Sequence, residues 1–175
     1  MSDKGHESKK NRWVKITTGP FLIPAEVGSE MQGGRDNDRL IIILKNPTKK
    51  ELCVRVKLGV CLEPKKTCTN SSVNVFKNIC EKDFDLGSFK LEPHSCTRIE
   101  RNIASDLGSG KDERNAIFRI TAKGDFNASA TQVLCGLAEI SVIGGSVFNY
   151  LEPGLEQADP ALFFPFSNFV LCEKC

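Results

Sequence analysis

Hydrophobic and polar residues alternate with a period of two along most of the chain, and no window carries a convincing 3.6-residue apolar stripe. That pattern belongs to half-buried strands rather than to amphipathic helices. Glu51–Leu62 is the clearest case. Val54, Val56, Leu58, Val60 and Leu62 fall on one face, and Cys53, Arg55, Lys57, Gly59 and Cys61 on the other. The same alternation predicts strands over Trp13–Thr17, Arg39–Lys45, Val73–Ile79, Phe84–Leu91 (bulged at Gly87), Cys96–Arg101, Ala116–Lys123 and Thr131–Ile143. Gly19-Pro20, Asn46-Pro47-Thr48, Glu92-Pro93-His94-Ser95 and Gly144-Gly145 are turn signals between them. Segments 25–38 and 63–70 read as loops. Eight or so short strands separated by turns predict an all-β sandwich, Ig-like or jelly-roll.

The ends differ in character from this middle. Residues 1–12 are polar and read as a flexible N-terminal arm, residues 13–145 as the sandwich, and residues 146–175 as a Phe-rich C-terminal strand or arm. Pro153, Pro160 and Pro165 forbid a long helix in that last segment. It either packs on its own core, the default, or docks on a neighbour. Arg39–Lys45 and Gln132–Ile143 are in part apolar on both faces, which calls for a second cover. The tail or another subunit would supply it, so Ile41, Ile43, Phe163, Phe164, Phe166 and Phe169 are the candidate assembly interface.

Charge changes this picture little. The 175 residues suit one domain with arms, and the formal net charge is only +2. Basic residues occur singly and in pairs such as Lys9-Lys10, Lys49-Lys50 and Lys65-Lys66, mostly at expected turns. Solvated loop charge accounts for them, and no nucleic-acid partner is expected. The longest purely apolar run, Leu40–Leu44, is too short to span a bilayer, and the N-terminal residues lack the apolar core of a secretory signal.

Cysteine changes it more. Cys53, Cys61, Cys68, Cys80, Cys96, Cys135, Cys172 and Cys175 make eight, an even number that is high for a reduced compartment. Cys53 and Cys61 share one strand face yet stand roughly 26 Å apart at the rise of a straight strand, too far to pair with each other. Each therefore needs another partner, in this chain or in a second copy, with intrachain disulfides slightly favoured. Cys172-Glu-Lys-Cys175 is a lone CxxC without the helix a redox site needs, or the second pair a zinc site needs. A covalent latch to another subunit suits it better.

Enzyme signatures are missing from the sequence. In His94-Ser95-Cys96 the histidine and the thiol would alternate across an extended chain, so His94 is badly placed as a base for Cys96. No nucleophile elbow, P-loop or dinucleotide fingerprint occurs. The pairs Asp36/Asp38 and Asp83/Asp85 read as solvated loop acids, and Asn70-Ser-Ser and Asn127-Ala-Ser as chance matches to the glycosylation acceptor. No catalytic residue, metal or cofactor is expected.

Leu40–Leu58 with its Asn46-Pro-Thr turn, then Phe89-Lys-Leu-Glu-Pro-His-Ser-Cys-Thr-Arg98, then Phe118-Arg-Ile-Thr-Ala-Lys-Gly124, resembles small β-sandwich proteins of spore-forming Firmicutes. Among those, the pilus-like endospore appendage subunits are similar in layout over about residues 38–145. The resemblance implies a jelly-roll made without a signal peptide and joined to its neighbours through cysteines on a terminal arm. In that family the connector cysteines are N-terminal, whereas residues 1–52 here hold none and the tail holds two. A thinner likeness to major-sperm-protein domains rests on Lys45-Asn-Pro-Thr and Cys53-Val-Arg-Val-Lys. The expectation is a self-assembling subunit of an extracellular or spore-surface fibre. The alternative is a monomeric, disulfide-stapled binding or adhesion module, and a cytoplasmic location stays open.

Overall fold

A computed structural model of the chain describes residues 13–23, 26–29, 32–37, 39–62, 65–70, 73–77, 80–103, 113, 116–147 and 158–172. The segment expected as an N-terminal arm, 1–12, and Cys175 lie outside the described residues. Among the described residues sixteen strands follow in order, beginning with β1 (Val14–Thr17), β2 (Phe21–Leu22), β3 (Glu26–Ser29), β4 (Gln32–Asp36), β5 (Arg39–Lys45) and β6 (Leu52–Cys61). Next come β7 (Lys65–Asn70), β8 (Val73–Lys77), β9 (Lys82–Leu91), β10 (Cys96–Asn102) and β11 (Ile117–Gly124). The rest are β12 (Asn127–Ala128), β13 (Val133–Leu134), β14 (Glu139–Val147), β15 (Ala158–Phe164) and β16 (Val170–Leu171). A 3-10 turn, Phe166–Asn168, is the one helical element among the described residues.

The all-β sandwich is what forms. The larger sheet has the order β16-β1-β11-β6-β9, with β2 also on β11, and the smaller sheet has the order β10-β5-β14-β15. Alternation does the sorting. Val54, Val56, Leu58 and Val60 of β6 and Phe118, Ile120 and Ala122 of β11 are buried, as are Leu40, Ile42 and Leu44 of β5 and Ile140 and Val142 of β14. These side chains form one cluster between the sheets. Each fully buried aliphatic contributes about 1.5–3 kcal/mol relative to exposure.

Local chemistry fixes the corners. Asn46 is fully buried at the end of β5. Its Nδ2 donates to the carbonyls of Lys50, Leu91 and Glu92 at 2.7, 2.9 and 3.0 Å, while Oδ1 accepts from the amide and hydroxyl of Thr48. One side chain thereby ties the β5–β6 turn to the β9–β10 turn. In the latter, Ser95 N donates to Glu92 O at 3.2 Å and His94 takes φ 54°, as the third residue of a Pro-containing turn of the second type requires. At this same end of β6, Gly124 sits against the Cys53 carbonyl so closely that no side chain fits. Asp125 extends that ladder, its Oδ2 accepting from Cys53 N at 2.7 Å.

Three expectations need correction. Segments 25–38 and 63–70 are not plain loops, since β3 pairs with β4 and β7 with β8 as hairpins. The long strand expected over Thr131–Ile143 is broken, because Gly136 takes φ 106° and splits it into β13 and β14. Gly144-Gly145 does not end β14, which continues to Val147 through a bulge against β15. The bulge expected near Gly87 is present: the β6–β9 register shifts between Val56 and Lys57, and Gly87 takes φ 116°.

Candidate functional site

Outward-facing residues of the larger sheet build a charged groove. In β6 the even positions turn inward, which sends Arg55 and Lys57 out, and in β11 the same parity sends Arg119, Thr121 and Lys123 out. Register then gathers residues far apart in sequence. Lys15 of β1 pairs with Lys123, Lys123 with Arg55, and Arg55 with Ser88 of β9, setting three cations abreast on neighbouring strands. The next row runs Thr17, Thr121, Lys57, Asp85. Lys15, Arg55, Lys57, Asp83, Arg119, Thr121 and Lys123 line a cavity of about 400 Å³.

The cations of this face are not equally neutralised. Arg55 is ion-paired and hydrogen-bonded to Asp85. That contact holds the Asp85 carboxyl below its ordinary range, with help from the Gly87 N–H, and raises the already high pKa of Arg55. Lys57 Nζ lies 4.0 Å from Asp83. Arg119 pairs with Glu81, whose side chain crosses the space that Gly59 leaves by having no Cβ. Asp83 and Asp85 are therefore strand-borne partners of cations, not loop acids. Among the described residues no carboxylate lies within ion-pair distance of Lys15 or Lys123. Lys123 Nζ instead stands 5.9 Å from the ring centre of Trp13, which is 49 % exposed.

Cys53 and Cys61 do share the outward face of β6, both half-buried. Disulfides among most of the described thiols, the favoured expectation, are not what is found: Cys53, Cys61, Cys80, Cys96 and Cys135 are free. Cys172 is nearly buried and disulfide-bonded, to none of these five. Cys68 and Cys175 fall among residues whose side chains are not described. Cys61 has its thiol pKa raised, first by burial and then by the Glu81 charge, with Arg119 and Cys80 also close enough to act on it. The β6–β9 ladder, ending at Val60 and Lys82, points Cys61 and Cys80 toward the same end of the sheet.

The six residues expected at an interface divide. Phe164 turns inward onto Phe21, 4.9 Å between ring centres, Phe166 stacks on Phe126 at 6.2 Å, and Phe169 is core. Those three are taken up by the chain's own packing. Ile41, Ile43 and Phe163 lie on the outer face of the smaller sheet, where register aligns Ile41 with Ile143 and Ile143 with Phe163. Ile41 is buried, Ile43 half-buried and Phe163 57 % exposed. Among the described residues no further strand pairs with β10 or β15, the two edges of this sheet.

Among the described residues no His, Cys, Asp and Glu side chains gather as a metal site, and no helix is long and apolar enough to cross a membrane. No protein-family model matches the chain, and no curated protein matches it significantly. Among solved structures, Thermotoga maritima 1070 aligns over 90 % of this chain and 97 % of its own, at 10 % identity and a TM-score of 0.36. A likeness of that size carries no weight for fold or function.

Proposed function

We propose that the protein is a structural, self-associating subunit of a fibre at an extracellular or spore surface. The observation that carries this reading is the smaller sheet, which ends in two dissimilar edges, β10 and β15, and bears an outward apolar row finishing at Phe163. An edge strand is a template for strand addition. Pairing β10 of one copy with β15 of the next is heterologous, so it propagates instead of closing at a dimer. The free, exposed Cys96 lies on β10 and would lock contacts that mass action leaves reversible. A monomeric module stapled by internal disulfides suits the chain less well, given five free thiols.

Electron microscopy and sedimentation across a concentration series, with paired reducing and non-reducing gels, test the proposal. Filaments or open-ended oligomers are expected, with a covalent ladder that collapses on reduction. Phe163→Asp should shift assembly to at least tenfold higher concentration without lowering Tm, because Phe163 is exposed in the single chain. A monomer at every concentration, oxidised or reduced, would sink the reading.

A further inference from the structure

The charged groove lies on the larger sheet, on the opposite layer from the proposed assembly face, and assembly leaves it without a role. Like charges directly opposite on neighbouring strands destabilise a sheet. Lys15, Lys123 and Arg55 nonetheless stand abreast, and Asp85 compensates only Arg55. The described acids that pair with cations of this face, Asp83, Asp85 and Glu81, all sit on the β9 side of the groove, engaged with Lys57, Arg55 and Arg119. Among the described residues, positive charge is therefore left uncompensated on the β1–β11 side. There the exposed Trp13 ring borders Lys123, and Thr121 contributes a hydroxyl to the lining. A cavity of about 400 Å³ is the size of a small-molecule site.

We propose that this groove binds a small molecule carrying several phosphate or sulfate ester groups, held chiefly by Lys15 and Lys123. The multivalent oxyanion supplies the negative charge that the β1–β11 side lacks. Arg55 and Lys57 line the far wall and add donors to an ester group reaching across. The exposed Trp13 ring beside Lys123 adds apolar surface at that border.

Titration of the full chain, its Cys172 disulfide intact, with myo-inositol hexakisphosphate, its hexasulfate and neutral myo-inositol, at matched ionic strength and followed by amide and indole NMR, tests this. Saturable shifts at Lys15, Thr121, Lys123 and the Trp13 indole are expected with one or both esters and none with inositol. The stronger ester identifies the group that the site prefers. Lys15→Ala and Lys123→Ala should each weaken binding about fivefold or more, and Lys123→Glu should abolish it. Lys49→Ala and Lys50→Ala, in the turn after β5, should leave it unchanged. Lys123→Gln should also raise the ligand-free Tm, since it removes a like-charge neighbour, so lost binding is distinguishable from lost folding. Unsaturable shifts spread over all surface lysines, or affinity indifferent to Lys15 and Lys123, would overturn the proposal. Either result is independent of whether filaments form.

Discussion

Single side chains carry unequal shares of this fold, and Asn46 carries one of the largest. Its amide group satisfies three carbonyls from two turns, and its carbonyl caps Thr48. Asn46→Ala should cost on the order of 3 kcal/mol, because buried acceptors lose their donors together. Asn46→Asp should be at least as damaging at neutral pH, with carboxylate oxygens facing carbonyls, and should recover partly in acid. Denaturant midpoints across pH measure both. Cys61 makes a second residue-level prediction. Its pKa is raised from the ordinary 9.0, so the folded chain keeps a thiol proton that the unfolded chain releases. That contribution to stability is complete below the ordinary value and drains as pH rises through the raised one. Alkylation of Cys61, followed by mass spectrometry, should reach half-maximal rate at higher pH in the folded protein than in urea. Coincident profiles would contradict it.

Elements were legible where one strand could be read by itself. β6 advertises its two faces through Val54, Val56, Leu58 and Val60, and both β5 and β10 keep nearly their expected bounds. β4 was not legible, because Gln32-Gly-Gly-Arg-Asp36 has no apolar alternation to read. β13 and β14 look like one strand in the sequence because Gly136 breaks the backbone without breaking the hydrophobic run. The join between the two sheets was hidden as well. Arg101 of β10 in the smaller sheet makes a two-pronged bridge to Glu113 at 2.8 and 3.1 Å and lies 5.2 Å from the ring centre of Phe84 on β9 in the larger sheet. Glu113 is 1 % exposed. Breaking a buried pair strands the remaining charge, so Glu113→Ala should destabilise by about 3–5 kcal/mol. Pairing Arg101→Met with Glu113→Leu should cost less than Glu113→Ala alone. A thermal-unfolding double-mutant cycle decides this, and additive losses would refute the coupling.

At the scale of the molecule, the groove shows why a site can escape a sequence in which all its residues are plain to see. Lys15, Arg55, Lys57, Arg119 and Lys123 each occupy an outward position of an alternating strand. Period-two placement of cations on strands, rather than clusters at turns, was the available signal. Register brings Lys15 beside Lys123, 108 positions later, and no local pattern encodes that neighbourhood. Phe163 and Phe164 were likewise distinguishable only by parity against β14, which sends one outward and the other onto Phe21. The pairing of β1 with β16 has a consequence in time as well as in space. Thr17 meets Val170, 153 positions further on. Closing so long a loop is entropically late. While a nascent chain is being made, the outer edge of β1 stays open until nearly all of the sandwich has left the ribosome. During that interval another copy's β16 can take the place of the chain's own, so crowded synthesis of this protein favours exchange of terminal strands between neighbours.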